Sequence, residues 1–474
     1  MTNNTRSATE IQLFDLLYQG RDSEARQLLD SLVVKATKES SLQRDIEPEL
    51  SLPLTVALQG FDEWSARQNI LCLADRVCSF SERVIHTVPY YRNRSQSLNE
   101  TRETSLDRFP LMTKTEMANS FSQFVSDEYV ASDFKFFKCT SGSTGDPLIV
   151  WYDLASFYDL AYVTYGTVAQ LLPGVLDAVK VGGLGAVQIT DDPITWPAST
   201  VLPSLKLAQL RRRLIGSDEE ANVRQIQELR GEKIPILCGL ATSVARLAEI
   251  DASVAEPLGR ISPVAIFVSG ENLFEDRRRV IEEWFRCRVY NAYASSEGGF
   301  IAMECSQRRG LHVHGQRVVL EILRPSGQIA TEGSGIIVLT NLMNWAIPFV
   351  RYKTDDYATI RYIECPCGYI GQTITDLPGR QATYFRTGSS IFDPNMLDEE
   401  LSRLPIKEFQ MTQNVESQIT VKWVPNAGCN DYLRVEEAIA QRLRREGVIA
   451  VQFQRVARTT EPGQKIKRYL REAP

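Results

Sequence analysis

Histidine is scarce in this chain: only His86, His312 and His314 occur among 474 residues. Catalysis built on a histidine base therefore has few candidates. No signal-peptide core follows Met1, and no apolar run approaches the ~20 residues that cross a bilayer. Long basic runs are missing as well, and the net charge is −6. Duplex nucleic acid and anionic membranes both select a concentrated basic face, so neither is an expected partner. Internal repeats and low-complexity segments are absent. These absences lead to the expectation of a cytoplasmic globular protein. Nine cysteines, an odd number scattered over a long chain, do not read as a disulfide framework. Most of them, such as Cys72, Cys78, Cys238 and Cys287, sit in apolar contexts as small core residues.

With 43% hydrophobic and 24% charged residues, the chain can bury a large core. Its length points to about two to four domains. Residues 1–85 mix charged and apolar positions at helical spacing, as in Glu10–Leu32 and Asp62–Ile85. From Pro89 to Val130 short turns alternate with helices. Strand-like apolar runs separated by helices then follow: Phe134–Phe137, Ile234–Leu237, Val264–Val268, Val289–Tyr293 and Gly335–Leu342. That alternation predicts an α/β layered fold. After about residue 381 the order becomes strand, strand, amphipathic helix, strand: Phe409–Thr412, Gln418–Trp423, Arg434–Glu446, Ala450–Gln454. The expected division is a helical N-terminal region (1–85), a large α/β core (86–380) and a small α+β C-terminal unit (381–474).

One segment stands out chemically. A β-prone run ends in Cys139-Thr140-Ser141-Gly142-Ser143-Thr144-Gly145-Asp146-Pro147. Glycine lets the backbone take positive φ and approach a ligand closely. Successive N–H groups with hydroxyl donors make an anion nest suited to phosphate. A polar surface turn is the alternative on composition alone. Four further segments follow in order: Ser269-Gly270-Glu271 after a strand; Tyr293-Ala294-Ser295-Ser296-Glu297-Gly298-Gly299 after the next; Arg351-Tyr352-Lys353-Thr354-Asp355-Asp356; and Gly379-Arg380. The chain closes on Gly463-Gln464-Lys465-Ile466-Lys467-Arg468. Together these resemble the adenylate-forming (acyl-CoA synthetase) superfamily, and most of all its phenylacetate-CoA ligase branch. Pro89-Tyr90-Tyr91-Arg92 and Phe109-Pro110-Leu111-Met112-Thr113-Lys114 also resemble that branch. The resemblance covers about 88–468 and leaves residues 1–60 outside it.

The resemblance implies a large α/β N-terminal region with a small mobile C-terminal domain. It also implies activation of a carboxylic acid by ATP to an acyl-AMP, then transfer to a thiol. Thr140, Ser141, Gly142, Ser143, Thr144 and Gly145 would cradle the β- and γ-phosphates. Glu297 corresponds to a magnesium-linked glutamate, a hard oxygen ligand suited to that ion. Tyr293 would flank the adenine, with Ser269, Gly270, Glu271 and Ser296 completing the nucleotide site. Asp356 would accept hydrogen bonds from the ribose hydroxyls. Arg380 would contact ribose or phosphate. Lys465 would neutralise charge between carboxylate and α-phosphate, with Lys467 as its register competitor. Four positions depart from the family pattern: Asp146 replaces a lysine, Ala294 and Asp355 replace glycines, and Gln381-Ala382-Thr383 replaces an acidic hinge.

Cys305 and His312, with Cys365-Pro366-Cys367, supply three thiolates and one imidazole, the ligand set of a tetrahedral structural zinc. Some members of the branch carry zinc at corresponding positions. His314 is the alternative ligand, since Leu-His-Val-His would put both histidines on one strand face. The zinc is expected to pin 305–367 beside the nucleotide site. Coenzyme A or a carrier-protein phosphopantetheine is the implied acceptor, and Phe385–Phe392 resembles the loop that meets the thiol. An acyl carrier protein and a second copy of the chain are the partners this leaves open. An acyl-protein synthetase, an amide-forming ligase and a non-catalytic scaffold relative are the competing readings. The acid expected by analogy is aryl or otherwise apolar.

Overall fold

The computed structural model describes residues 66–94, 106–130, 136–139, 148–152, 184–190, 199–202, 207–213, 234–253, 261–315, 317–380, 385–387, 390–392, 394–401, 403–426, 428–459 and 468–471, with isolated positions between 168 and 229. The Gly-rich segment 140–147, the hinge 381–384 and the segment with Lys465 lie outside the described residues, as do residues 1–65. Among the described residues, no helix is long and apolar enough to cross a membrane.

Helix α1 (Ala66–Thr87) leads into a short hairpin, β1 (Phe136–Cys139) and β2 (Ile149–Tyr152), paired antiparallel with Cys139 opposite Ile149. Of the strand expected at Phe134–Phe137, residues 134–135 lie outside the described residues, and β1 continues to Cys139. The parallel half of the main sheet is built from β3 (Leu184–Thr190), β5 (Leu207–Arg213), β6 (Ile236–Gly239), β7 (Ala265–Ser269) and β8 (Val289–Ser295), with β4 (Ser199–Leu202) antiparallel at its edge. The antiparallel half adds β9 (Gly299–Glu304), β10 (Leu311–Val313), β11 (Val318–Leu323), β12 (Ile329–Ala330), β13 (Gly333–Asn341), β14 (Tyr352–Glu364) and β15 (Ile370–Arg380). Across the sheet the order is β12-β11-β13-β14-β15-β10-β9-β8-β7-β6-β3-β5-β4.

The parallel strands read as unbroken apolar runs because both of their faces are covered. Leu237, Ile266, Val268 and Val289 pack under α2 (Ala241–Ser253) and α3 (Glu275–Phe285). Ile236, Ala265, Phe267 and Tyr290 fill a second cluster on the other face. The crossover helices follow β6 and β7, so the chain turns at the carboxyl ends of the parallel strands, where open α/β sheets bind ligands.

A third cluster joins α1 to the start of β14 through Phe80, Val84, Tyr91, Phe109, Met112, Val150, Tyr152, Phe349 and Tyr352. Met112 N–H donates to the Arg351 carbonyl at 2.9 Å, and Lys353 N–H to the Met112 carbonyl at 2.8 Å. Buried Arg351 grips the Glu321 carboxylate with two bonds of 3.0 Å and reaches the Phe109 carbonyl at 3.1 Å. Removing one partner of such a buried pair costs about 3–5 kcal/mol. Arg351 therefore holds the upstream segment to β14.

The C-terminal unit has its own sheet, ordered β20-β19-β18-β21, from β18 (Ile406–Gln413), β19 (Ile419–Pro425), β20 (Val451–Arg455) and β21 (Tyr469–Arg471). Helix α4 (Tyr432–Arg445), capped by the Asp431 side chain, lays Val435, Ile439 and Leu443 against Trp423 and Met411. The small hairpin of β16 (Phe385–Thr387) and β17 (Ser390–Phe392) packs Phe385 and Phe392 into the same C-terminal core.

Candidate active site and metal cluster

β7 and β8 are adjacent and parallel, with Ser269 opposite Ala292. Their carboxyl ends therefore deliver Ser269-Gly270-Glu271 and Tyr293–Glu297 to one edge of the sheet. Gly270 turns at φ +83°, a conformation glycine adopts without a Cβ penalty. The Glu271 carboxylate accepts the backbone N–H of Thr242 at the start of α2. Asn272 Nδ2 donates to the Pro378 carbonyl at 3.4 Å, tying this turn to the end of β15.

On β14 the pairing with β13 slips between Ile336 and Val338, forming a bulge. Asp355 sits in it at φ +67°, left-handed backbone where the family writes glycine. Aspartate tolerates that conformation better than most residues. The bulge leaves Asp356 accepting a hydrogen bond from the Tyr293 hydroxyl at 2.7 Å and pairs it in register with Arg380 on β15. Burial and then the Asp356 carboxylate hold the Tyr293 hydroxyl well above its ordinary range, so it stays a donor.

Glu297 lies in the β8–β9 turn. Its carboxylate accepts from the Tyr352 hydroxyl at 3.3 Å, and its carbonyl from Asn341 Nδ2 at 2.8 Å. The Tyr152 hydroxyl donates to the neighbouring Ser296 carbonyl. Gly298 permits the turn to close, since a Cβ there would come within 2.6 Å of Ile301. The hairpin whose strands flank the Gly-rich segment thus docks through Tyr152 onto the turn that carries Glu297.

The structure thereby brings Ser269, Gly270, Glu271, Tyr293, Ser296, Glu297, Asp356 and the Arg380 backbone to one edge. Thr140, Ser141, Gly142, Ser143, Thr144, Gly145 and Lys465 are outside the described residues. Tyr152, Tyr352 and Asn341 were not foreseen as site residues. Tyr152 and Ser296 are 144 positions apart, and no local pattern distinguishes such tyrosines from core ones.

A second cluster lies where two hairpin turns meet. Cys365 and Cys367 occupy the β14–β15 turn, Cys305 follows β9, and His312 sits on β10. Their ligand atoms all lie within 4.8 Å of one another. Cys305 Sγ is 3.7 Å from Cys365 Sγ, and Cys367 Sγ is 3.4 Å from His312 Nε2. Two thiolates on a tetrahedral zinc at ~2.3 Å stand about 3.8 Å apart, so the spacing fits. His312 Nδ1 pairs with Thr373 Oγ1 at 3.0 Å, and its ring stacks on Tyr369 at 4.2 Å. That outer contact aims Nε2 inward. Burial pushes the Cys367 thiol up to about 12, so a thiolate there calls for a cation. For Cys305 the effect of burial, which raises it, is outweighed by His312 and the Gln307 N–H, and its pKa is lowered. Gly310 at φ +88° keeps the turn tight, where a Cβ would meet the Ile374 carbonyl at 2.6 Å.

β10 ends at Val313, so the alternation offered for the alternative ligand His314 stops short of it, and the cluster contains His312. The cluster and Asp356 lie at opposite ends of β14, which runs from Asp356 to Glu364 beside the cluster, eight residues or roughly 25 Å away.

No protein-family model matches the chain. It is 28% identical over 280 residues to a phenylacetate-coenzyme A ligase of Thermus thermophilus, covering 56% of this chain and 58% of the relative. It is 25% identical over 272 residues to protein CapK of Staphylococcus aureus, covering 56% of each. A Pseudomonas putida phenylacetate-coenzyme A ligase is 26% identical over 290 residues, covering 57% and 61%. The matches thus span 56% to 61% of these curated relatives' lengths. Among solved structures, 2-hydroxyisobutyryl-CoA ligase in its postadenylation state, in complex with R3-HIB-AMP, aligns with TM-score 0.69 at 16% identity, over 86% of this chain and 90% of that one. That likeness speaks for the fold: a large α/β region with a small C-terminal domain. By its motifs and over a little more than half of its length, the chain is similar to phenylacetate-coenzyme A ligases, and its fold is that of an adenylate-forming ligase.

Proposed function

We propose that this chain is an acid–thiol ligase working through an acyl-adenylate. A carboxylate oxygen attacks the α-phosphorus of ATP, the bond to the β-phosphate breaks, and pyrophosphate leaves. A thiolate, of coenzyme A or of a carrier-protein phosphopantetheine, then attacks the acyl carbonyl and AMP departs. The observation that carries this reading is a closed ring of contacts at one sheet edge. Asn272 reaches Pro378, Arg380 pairs with Asp356, Tyr293 holds Asp356, and Tyr352 on the same strand as Asp356 holds Glu297. Four sequence segments meet there: 269–272, 293–297, 352–356 and 378–380.

The roles follow from the side chains. Tyr293 fixes the Asp356 carboxylate so that it can face the ribose hydroxyls without reorganising. Glu297, a part-exposed carboxylate steadied by Tyr352, is the residue that would hold magnesium, which neutralises polyphosphate charge when bound. Arg380 serves ribose or phosphate. The 140–145 segment cradles the leaving pyrophosphate, and Lys465 stabilises the charge that develops as the carboxylate attacks. Residues 381–474 act as a lid. An aryl or other apolar acid is the substrate class, by analogy with the phenylacetate-coenzyme A ligases it resembles. Cys305, His312, Cys365 and Cys367 hold a structural zinc, since four protein ligands leave no open position.

Pyrophosphate–ATP exchange over a panel of aryl, fatty and amino acids tests the reading, followed by mass detection of the coenzyme A thioester. Exchange dependent on one acid class, abolished in Lys465→Ala, is the expected result. An absence of exchange with every acid would overturn it in favour of a binding relative. A covalent acyl adduct on the chain would instead point to an acyl-protein synthetase.

A further inference from the structure

β13 ends on Asn341, and Asn344 follows in the turn that leaves it. Both side chains are buried, at 4% and 1% exposure. Each amide works in two directions. The oxygen closes the turn on itself: Asn341 Oδ1 accepts from Met343 N–H at 2.9 Å, and Asn344 Oδ1 from Ala346 N–H at 3.1 Å. The nitrogen reaches out of the turn. Asn341 Nδ2 donates to the Glu297 carbonyl at 2.8 Å, and Asn344 Nδ2 to the Trp151 carbonyl on β2, also at 2.8 Å. Only this orientation of the two amides satisfies all four groups, since carbonyls accept and N–H groups donate. A third bond joins the two targets directly, because the buried Tyr152 hydroxyl donates to the Ser296 carbonyl. Trp151 is the chain neighbour of Tyr152, and Ser296 of Glu297. Segments 151–152, 296–297 and 341–344 are thus tied pairwise into a triangle. Losing one tie strands a carbonyl away from water, which costs its desolvation as well as the bond.

We propose that Asn341 and Asn344 are positioning residues that hold the main chain of Glu297 at a fixed separation from β2. A turn closed by its own hydrogen bonds is the gauge between two segments that are far apart in sequence. Tyr352 steadies the tip of the Glu297 side chain from β14. The two asparagines and Tyr152 fix the backbone from which that side chain starts. A carboxylate on a triangulated backbone needs no reorganisation to meet its ligand. Magnesium demands near-ideal octahedral geometry, so it is sensitive to such an error in placement. The inference rests on the reading of Glu297 as the magnesium-linked carboxylate.

The test uses the full chain with Asn341→Asp, Asn344→Asp and Tyr152→Phe. The aspartates keep Oδ1 and lose the donor. Tyr152→Phe removes a single hydroxyl and decides the matter if a buried aspartate prevents folding. Hydrogen exchange of the nucleotide-free chain reads the triangle. Each variant should speed the amides of both 149–152 and 295–299 about tenfold, or by ~1.4 kcal/mol, because freeing one corner loosens the other two. Calorimetry reads the consequence, with MgATP and with ATP in EDTA as the two probes. MgATP should bind about tenfold more weakly in each variant, as for lost outer contacts of a metal ligand, while ATP in EDTA binds as to the wild type. A general loosening of the nucleotide edge would weaken both forms alike, the pattern expected of Tyr293→Phe. Faster exchange confined to the segment that lost its own bond, or no change in exchange, overturns the triangle. Equal weakening of MgATP and of ATP in EDTA overturns the positioning of Glu297. A wild-type chain whose ATP affinity is indifferent to magnesium defeats the metal reading of Glu297 itself, and amide exchange still decides the triangle.

Discussion

Loss of the metal cluster gives the most quantitative expectation. The perturbation is His312→Ala, with Cys365→Ser and chelation as parallel routes. A bound zinc joins Cys305 to Cys365 across 60 residues, as well as His312 to Cys367 across 55. Treating the first link as a loop closure, the chain-entropy relation gives about 4 kcal/mol withdrawn from the unfolded ensemble. Spread over a unit the size of the main sheet and its helices, that corresponds to a Tm lowered by about 5–10 °C. Changing the outer contact alone, in Thr373→Val, should weaken metal binding by about 10–100-fold and leave occupancy near normal at high zinc. Metal content per chain by plasma emission and thermal melting, both under reductant so that no disulfide substitutes for the metal, are the assays. One zinc per chain, halved or lost in the ligand variants together with the drop in Tm, is the expected result. Zinc-free wild-type chain after purification with zinc present, or melting indifferent to chelator and to His312→Ala, would refute the reasoning.

Asp355→Gly should leave stability unchanged or raise it by about 0.5 kcal/mol, because the position already has left-handed backbone; Asp355→Val should cost ~2 kcal/mol, and denaturant titration separates the two. Tyr293→Phe should remove about 1.5–3 kcal/mol of charge-assisted hydrogen bonding to Asp356 and raise KM for ATP more than it lowers kcat, as steady-state kinetics would reveal. Asp356→Ala should cost more than Tyr293→Phe in the same assay, and an equal or smaller loss would remove the ribose role. His314 is held at about 3 by burial and by the Arg317 guanidinium, below its ordinary 6.5. The folded state then refuses a proton that the unfolded chain takes up, so this contribution to stability is whole above pH 6.5 and shrinks as pH falls toward 3. Urea unfolding between pH 7 and 4 should show a shallower decline in His314→Gln than in the wild type.

Much of this architecture is legible in the sequence because its carriers are local. The apolar runs at 236, 265 and 289 announce strands covered on both faces, and the glycines and acids of each motif sit at strand ends where they can be read in order. The left-handed backbone at Asp355 is half legible: a family glycine marks the place, but aspartate hides the requirement. What stays hidden is long-range. Arg351 reads as part of a nucleotide motif, yet its guanidinium is spent on Glu321, 30 residues away, and on a carbonyl 242 residues away. The choice between His312 and His314 depends on where β10 stops, and nothing local to Leu-His-Val-His fixes that. Arg468 looks like one more charge in a basic tail until Phe274 and Asp276 close around it.

The two longest strands of the main sheet give the metal cluster a reach it would lack as a mere staple. β14 and β15 leave the Cys365–Tyr369 turn side by side and end, respectively, at residues that start and finish the nucleotide edge. Side chains in a strand alternate faces, so a slip of one residue between these partners would turn Asp356 away from Tyr293 and part it from Arg380. Fixing Cys365 and Cys367 at one end sets the counting origin for both strands. A metal held there would act as a ruler: without touching Asp356 or Arg380, it would set which residue of each strand arrives at the far edge. Insertions or deletions between Cys367 and Arg380 should accordingly be far more damaging than substitutions at the same positions.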